Sequence, residues 1–138
     1  MENCLFCKIA NGEIPSHTLY EDEHTLAFLD INPVHPGHAL VIPKIHSANI
    51  FDIDAPSWTR VCETVRRIAQ PIEKATGASG INVMMNNRDT AGQVIDHTHV
   101  HVIPRHRGDG LRLWPQKPYA RGAAENIAEK IRENMEKA

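Results

Sequence analysis

Three histidines alternate with other residues in the run His97-Thr98-His99-Val100-His101. Successive side chains of a β-strand point to opposite faces, so we expect these three imidazoles to project from one side of a strand. Imidazole has an ordinary pKa of about 6.5, which lets a neutral ring attack while a protonated neighbour donates to an oxygen or a leaving group. The run therefore predicts a catalytic surface, although a single histidine on a sheet is more often a structural residue.

A second group of candidate ligands lies near the N-terminus, where Cys4 and Cys7 form a C-x-x-C pair. This spacing is common in zinc sites, but it also occurs in redox pairs and between buried thiols. A tetrahedral zinc site needs two further nitrogen or sulfur ligands, and the chain has nine histidines to supply them. The third cysteine, Cys62, is on the apolar stripe of a predicted helix, and we interpret it as a core residue.

The elements that position these residues begin with strands. We predict strands at residues 18–20 and 25–29, which form a hairpin, and a further strand at residues 38–42. The last of these is continuously apolar and stops at Pro43, which is typical of a central strand buried on both faces. Apolar residues at three- and four-residue steps then predict a long helix between residues 54 and 77.

The caps of that helix can also be predicted. Asp54 or Ser57 can cap its start, Gly77 can end it, and Pro71 should kink it. Strands follow at residues 81–85 and 99–103, and an amphipathic helix follows at residues 123–135. Strands, a helix and further strands in this order predict an α+β domain over residues 1–138, with an antiparallel sheet of about five strands.

Composition excludes several functional classes. The formal net charge of the 138 residues is -2, without the basic patch that duplex nucleic acid requires. No apolar run is long enough for a membrane span, and the N-terminus does not resemble a secretory signal. Three cysteines do not suggest a secreted disulfide framework. We therefore expect a cytoplasmic protein without a membrane or nucleic-acid partner.

Residues 92–105, GQVIDHTHVHVIPR, strongly resemble the signature of the histidine triad (HIT) superfamily. Residues 4–9 (CLFCKI), 28–33 (FLDINP) and 36–44 (PGHALVIPK) agree further with its Hint-like branch, in the family's order. The resemblance covers residues 4 to 105, while the tail 106–138 carries no specific match. It implies a HIT-like fold, with one long central helix and a C-terminal helix, whose sheets join in a homodimer.

The resemblance implies a nucleotide hydrolase or transferase that acts on the α-phosphate of a nucleoside phosphoramidate or a related nucleotide. His99 would be the nucleophile, and the covalent nucleotidyl-histidine that it forms would be resolved by water to a nucleoside monophosphate. His101 would contact the phosphoryl oxygens or the leaving group. His38 matches an additional histidine that family active sites recruit from the preceding strand.

A purine nucleotide is the implied substrate. Asp30 matches the carboxylate that binds the ribose hydroxyls, and an apolar slot for the base is matched by Phe6, Ile9 and Ile31. Phosphate contacts are implied in the loop before the histidine run, at Asn86, Gly92 and Gln93. Val94 stands where some members carry a hydroxyl residue, and this leaves the leaving-group preference open.

The resemblance also divides the histidine run between two sites. In zinc-bearing relatives the ligands map to Cys4, Cys7, His46 and His97, which implies a structural zinc ion with a closed four-ligand shell. Many relatives lack the cysteines, so the zinc need not be essential for the fold. In the family two protomers join their sheets, and Trp114 and its neighbours are candidates for dimer contacts.

Three alternatives remain open from the sequence. One is dinucleoside polyphosphate hydrolysis, which uses the same nucleophile with a different leaving nucleotide. Another is a nucleotide-binding or protein-interaction module whose catalysis is incidental. In a third, all three histidines of the run bind a catalytic metal ion.

Overall fold

A computed structural model describes residues 3–137. Five strands and three α-helices follow one another in the order helix, three strands, helix, two strands, helix. Their bounds are α1 Leu5–Ala10, β1 Thr18–Glu21, β2 Thr25–Leu29, β3 Ala39–Pro43, α2 Ala55–Thr76, β4 Gly80–Met84, β5 Val100–Arg105 and α3 Ala123–Glu136. Within residues 3–137, none of the helices combines the length and apolarity that a membrane span requires.

The strands form one antiparallel sheet in the order β1-β2-β3-β5-β4. This confirms the predicted α+β class, the hairpin at the start and the central place of the apolar strand. In the register of β3 and β5, Leu40 pairs with His101 and Val41 with Val100. His38 immediately precedes β3, and His101 is on β5. The two histidines are therefore neighbours in the middle of the sheet.

The two faces of the sheet carry different cores because side chains alternate along each strand. One face packs against α2 and contains Ala27, Ala39, Val41, Val100 and Val102. On the other face, Leu26, Phe28, Leu40 and Ile42 pack with Phe6 of α1. Burial on both faces explains why residues 39–43 are apolar without interruption. His99 and His101 lie on the face of α1, opposite the face covered by α2.

Helix α2 begins and ends as the sequence predicts. The carboxylate of Asp54 accepts a hydrogen bond from the backbone N–H of Ser57 at 2.9 Å, and Gly77 ends the helix at φ 69°. The helix continues through Pro71 to Thr76. The prediction for Cys62 was wrong, because this residue is exposed. Successive helical residues are about 100° apart, so Cys62 lies beside the sheet-facing stripe that contains Val61, not within it.

The bounds of β5 also differ from the prediction. The strand begins at Val100, so His97 and His99 precede it on irregular backbone, and the three histidines do not share one flat strand face. Helix α3 has the predicted position, but none of its residues is buried. Its apolar residues Ile127, Ile131 and Met135 are exposed.

Candidate active site and metal site

Four side chains converge beside α1, as the resemblance implied: Cys4, Cys7, His46 and His97. Nδ1 of His97 lies 3.3 Å from Sγ of Cys4, 3.4 Å from Sγ of Cys7 and 3.3 Å from Nδ1 of His46. Ordinary zinc bond lengths in a tetrahedron predict edges of about 3.4 Å between two nitrogens and about 3.6 Å between nitrogen and sulfur. The donor set and its spacing therefore fit a zinc ion.

The orientation of His97 supports this fit. Its side chain is fully buried, and Nε2–H donates to the carbonyl oxygen of Pro43 at 2.8 Å. Because a carbonyl only accepts, this bond leaves the lone pair on Nδ1, which faces the thiols and His46. Burial lowers the pKa of His97 to about 4, so the ring is neutral at physiological pH. A neutral ring with a free Nδ1 is the form that binds a metal.

The elements that build this cluster come from three parts of the chain. Cys4 caps α1, where its Sγ accepts from the backbone N–H of Cys7 at 3.3 Å. His46 follows the end of β3, and its Nδ1 lies 3.3 Å from Sγ of Cys7. The cluster thus joins the N-terminal helix to the sheet and to the backbone that leads into the active site.

His99 presents the opposite ring nitrogen. Its Nδ1–H donates to the carbonyl oxygen of His97 at 2.7 Å, which leaves the lone pair on Nε2. Burial lowers the pKa of His99, so the neutral form is favoured. The ring of Phe6 packs edge-on against it, with centroids 5.2 Å apart. His99 therefore has the tautomer and the orientation of a nucleophile that lines a cleft.

His101 is oriented by His38. The backbone N–H of Val34 donates to Nδ1 of His38 at 3.0 Å, so the hydrogen of a neutral His38 lies on Nε2. That Nε2–H donates to Nδ1 of His101 at 2.9 Å, which leaves Nε2 of His101 as the protonated nitrogen of its ring. Oδ2 of Asp30 lies 3.7 Å from Nε2 of His38. The chain of donors starts at a backbone amide and ends at the cleft.

Burial keeps this second pair of rings neutral. It lowers the pKa of His38, against the opposing charge of Asp30. Burial, together with the neighbouring rings of His99 and His38, lowers the pKa of His101 to about 4. At physiological pH His101 is therefore a neutral hydrogen-bond donor.

A cleft of about 460 Å³ opens in front of these rings. Apolar side chains form most of its lining, and Asp30 contributes a half-buried carboxylate. Its lining includes eight of the residues that the resemblance assigns to catalysis or nucleotide binding, namely Phe6, Ile9, Asp30, Ile31, Asn86, Gly92, His99 and His101. A mostly apolar cleft with a few converging polar groups is the usual form of a small-molecule site.

Two of the candidate residues lie outside the cleft lining. His38 is behind His101, and Gln93 is buried within the loop that borders the cleft. Nε2 of Gln93 donates to the carbonyl oxygens of Ala48 and Ile95 at 2.6 and 2.9 Å, and its Oε1 accepts from the backbone N–H of Arg88 at 2.7 Å. The contacts of Gln93 are those of a residue that shapes this loop.

Backbone conformation explains the glycine in the same loop. Gly92 has φ 97°, and a Cβ there would lie 3.3 Å from the side-chain nitrogen of Asn86. Arg88 also has a positive φ of 72°, with ψ 158°, a region that non-glycine residues rarely adopt. The bond from Arg88 to Gln93 holds this strained residue in place. The loop is therefore preorganised beside the cleft.

Sequence reasoning missed several lining residues, including Leu5, Ile14, Pro15, Leu40 and Ile95. Leu40 is part of the apolar β3, and its pairing with His101 makes it a neighbour of the site. Ile14 and Pro15 follow α1 in a loop, where no periodic pattern marks an inward-facing residue.

The alternative in which the whole run binds one catalytic metal is not favoured by these orientations. Nδ1 of His97 points into the thiol cluster, whereas Nδ1 of His99 is bonded to a carbonyl oxygen. Asp30, His38 and His101 are also close enough together to hold an ion. However, a metal on Nε2 of His38 would require the hydrogen on Nδ1, where it would oppose the N–H of Val34.

Comparison with known proteins places the chain in a family. Residues 11–108 match the HIT domain. The chain is 40% identical in sequence to SMU.412c from Streptococcus mutans. The crystal structure of that protein matches the fold with a TM-score of 0.93, over 98% of this chain and 87% of that one.

Two further relatives are similar over almost the whole chain. The adenosine 5'-monophosphoramidase of Schizosaccharomyces pombe is 39% identical over 94% of this chain and 99% of its own. A zinc-bound histidine triad family protein from Mycobacterium smegmatis is 31% identical, with a TM-score of 0.77 over 99% of both chains. With this sequence signature, this fold and these relatives, the chain belongs to the HIT family.

Proposed function

We propose that this protein hydrolyses nucleoside phosphoramidates, or closely related nucleotides, through a covalent nucleotidyl-His99 intermediate, and that it releases a nucleoside monophosphate. The observation that carries the proposal is the tautomer of His99, whose Nδ1–H is bonded to a carbonyl oxygen while its Nε2 keeps a lone pair. Similarity to the adenosine 5'-monophosphoramidase of Schizosaccharomyces pombe supports the same reaction class.

The reaction has two steps. In the first, Nε2 of His99 bonds to the α-phosphorus, the P–N bond of the substrate breaks, and the leaving nitrogen takes up a proton from solvent and departs as an amine. In the second, water attacks the same phosphorus, the bond to His99 breaks, and the water releases one proton to solvent, which balances the proton that the first step consumed. Hydrolysis thus consumes one water molecule and returns His99 unchanged.

His101 and His38 stabilise this chemistry without changing charge. Nε2–H of His101 is a fixed donor for a phosphoryl oxygen on which negative charge develops. Because its ring stays neutral, the donor does not depend on a protonation event within each turnover. His38 maintains this orientation from behind.

The nucleoside is proposed to bind across the apolar part of the cleft. Asp30 would accept hydrogen bonds from the ribose hydroxyls, and Phe6, Ile9 and Ile31 would enclose a purine base. Asn86 and Gly92 would contact the phosphate from the rim. Val94 is 87% exposed and offers no side-chain donor, so this rim leaves the amine of the leaving group to solvent.

We also propose that Cys4, Cys7, His46 and His97 hold a structural zinc ion. When bound, the ion supplies a cross-link between α1 and the end of β3, and its closed shell leaves no position for substrate. The presence of a zinc-bound relative supports this assignment. Thiols that bind zinc must stay reduced, which agrees with a cytoplasmic location.

A homodimer is proposed as the assembly. Strand β4 is at an edge of the sheet, and Val83 on this strand is 54% exposed. Leu113 and Trp114 line the same surface and are exposed as well. An apolar sheet edge of this kind is a natural surface for pairing with a second copy. Sedimentation of wild type and Val83→Glu tests this, because a charge on the edge should produce monomers.

The test of the catalytic proposal is adduct trapping combined with a choice of substrates. Purified wild type is mixed with an α-labelled adenosine phosphoramidate and quenched in the denatured state, and His99→Ala is treated in parallel. We expect a labelled adduct in wild type alone. If wild type turns over the phosphoramidate and never yields an adduct, the covalent mechanism is wrong.

Assays of the same purified protein distinguish the competing functions. Faster turnover of a diadenosine polyphosphate than of the phosphoramidate would favour the polyphosphate hydrolase. Nucleotide binding without turnover of either substrate would favour a binding module.

A further inference from the structure

A polar clamp, which we define as His35, Asp109 and Arg105, joins the end of β5 to the segment just before His38. Nε2 of His35 is 3.1 Å from Oδ2 of Asp109. Nε and Nη2 of Arg105 donate to the two carboxylate oxygens of Asp109 at 2.7 and 2.9 Å. None of the three was assigned a role in the chemistry, and Asp109 lies in the tail that carries no specific sequence signature.

The clamp connects the two segments that carry active-site histidines. Arg105 is the last residue of β5, the strand of His101. His35 lies three residues before His38, and its carbonyl oxygen accepts from the backbone N–H of His38 at 3.0 Å. The loop and the strand are therefore joined twice, once by the clamp and once by the bond between His38 and His101.

Asp109 is built as a rigid anchor. Its side chain is only 6% exposed. It also accepts from the backbone N–H groups of His106 and Leu111 at 3.2 and 3.0 Å. The guanidinium of Arg105 and the backbone N–H of Leu111 hold the pKa of this carboxyl well below its usual range, so it is ionised at any physiological pH. These contacts tie Asp109 to β5 and to its own loop, whereas the bond to His35 crosses to the other segment.

The position of Val34 links the bond between His35 and Asp109 to the tautomer of His38. Val34 is the neighbour of His35, and its backbone N–H is the donor that fixes the tautomer of His38. A displacement of His35 therefore displaces the amide that keeps the hydrogen of His38 on Nε2. Without that amide, the two neutral tautomers of His38 become closer in energy.

We propose that His35 and Asp109 are positioning residues of the active site, because their bond holds the Val34 N–H against Nδ1 of His38 and so sets the tautomers of His38 and His101. In the other tautomer of His38, the lone pairs of Nε2 on His38 and Nδ1 on His101 would face each other. His101 would then turn or change its own tautomer, and its donor would leave the cleft. The catalytic part of this inference rests on the proposed function, whereas the tautomers do not.

The experiment compares three variants with wild type. His35→Ala removes the donor to Asp109. His35→Gln keeps an N–H donor at the same number of bonds from the backbone. His17→Ala replaces an exposed histidine immediately before β1 and is the matched control for loss of an imidazole. The imidazole ¹⁵N shifts of His38 and His101 are recorded, together with kcat and KM for an adenosine phosphoramidate.

We expect H35A to shift the His38 and His101 ring nitrogens towards a mixture of tautomers and to lower kcat about tenfold or more with KM changed less than about twofold. H35Q should restore most of the wild-type ring nitrogen shifts and most of kcat, and H17A should match wild type in both. His35→Leu, which keeps apolar packing against His106, gives the same test if H35A does not fold.

Wild-type ring shifts in H35A would overturn the proposal whatever the activity. An H35Q variant as impaired as H35A would also overturn it, because the hydrogen bond would then not be the cause. If wild type itself does not cleave the phosphoramidate, the proposed function fails, but the ring shifts still decide whether the clamp sets the tautomers.

Discussion

His97 and His99 are two residues apart, and a hydrogen bond to a backbone carbonyl oxygen orients each ring. The bond leaves a different ring nitrogen free in each case. Each donates one ring N–H to a backbone carbonyl oxygen, and each thereby keeps a lone pair on the other nitrogen. His97 donates from Nε2 and presents Nδ1 to two thiols and a histidine, whereas His99 donates from Nδ1 and presents Nε2 to a cleft. Which nitrogen the backbone takes decides whether the ring is suited to a metal or to phosphorus.

The two sites also differ in the property that the loss of each should change first. The metal cluster is closed by four protein ligands and joins α1 to the sheet, so its loss should appear first in stability. The active-site rings line an open cleft that can admit a substrate, so their loss should appear first in activity.

Replacement of His99 should separate the two sites most sharply. In His99→Gln we expect kcat/KM for an adenosine phosphoramidate to fall about a thousandfold or more, because the nucleophile is gone. Zinc content by atomic absorption and the Tm should stay close to wild type, because His99 is not one of the four ligands. A large loss of zinc in this variant would contradict the division of the run into two sites.

Replacement of Cys4 should give the reverse pattern. In Cys4→Ser we expect zinc content and Tm to fall, while kcat at low temperature falls less. A hundredfold loss of zinc affinity at saturating metal would lower the free energy of unfolding by about 2.7 kcal/mol. Cys62→Ser is the matched control, since Cys62 is exposed and distant in sequence from the cluster. Normal zinc content in C4S would refute the ligand assignment.

Acidification should lower the free energy of unfolding through protonation of His101. Its pKa falls from 6.5 to about 4 on folding, so between these pH values the unfolded chain binds more protons than the folded one. The stability that the neutral ring contributes is therefore complete above about pH 6.5 and is lost as the pH falls towards 4.

The measurement is urea unfolding between pH 7.5 and about 4.5 for wild type and His101→Asn, which keeps an acceptor near the position of Nδ1. The difference in unfolding free energy between the two proteins should shift by about 2 kcal/mol over this range, since one pKa unit corresponds to about 1.4 kcal/mol and partial exposure reduces the effect. Protonation of the zinc ligands affects both proteins equally. If the unfolding free energies of the two proteins changed in parallel with pH, the lowered pKa of His101 would be contradicted.

Thr98 lies between the two sites and should influence both only slightly. Its hydroxyl contacts Oγ of Ser47 at 2.8 Å, and both side chains are buried. Thr98→Val keeps the shape and removes this bond, so we expect the free energy of unfolding to fall by about 1–2 kcal/mol. Zinc content and kcat should stay within about twofold of wild type. A selective loss of one of them would show that Ser47 and Thr98 support that site in particular.

Much of the fold and of the site could be predicted before the structure. The alternation of side chains, the caps at Asp54 and Gly77 and the uninterrupted apolar strand led to the correct sheet class and to the correct order of the strands, α2 and α3, whereas α1 was not among the predicted elements. The assignments to the metal cluster and the cleft came from family resemblance, and the structure brings the first set together around a common centre and most of the second around one cleft. These features depend on local pattern or on motifs.

The prediction for Cys62 failed because side-chain burial depends on packing between elements. Cys62 was taken as a core residue because it lies near an apolar stripe, but the width of the buried stripe depends on how closely α2 packs against the sheet. The phosphate contact of Gln93 stays a prediction, and its bonds to Ala48, Ile95 and Arg88 show a role in shaping the loop that the sequence did not suggest. The acceptor on Ala48 lies 45 positions before Gln93, so no local pattern could have revealed that bond.

The sequence by itself determined that imidazoles occur at positions 97, 99 and 101, that two thiols precede them, and that strands and one long helix surround them. Only the tertiary structure decided which nitrogen of each ring is free, because the deciding acceptors and donors are backbone groups of Pro43, His97 and Val34. A backbone carbonyl or amide is the same for every residue type, so no sequence pattern can reveal where the fold will place it.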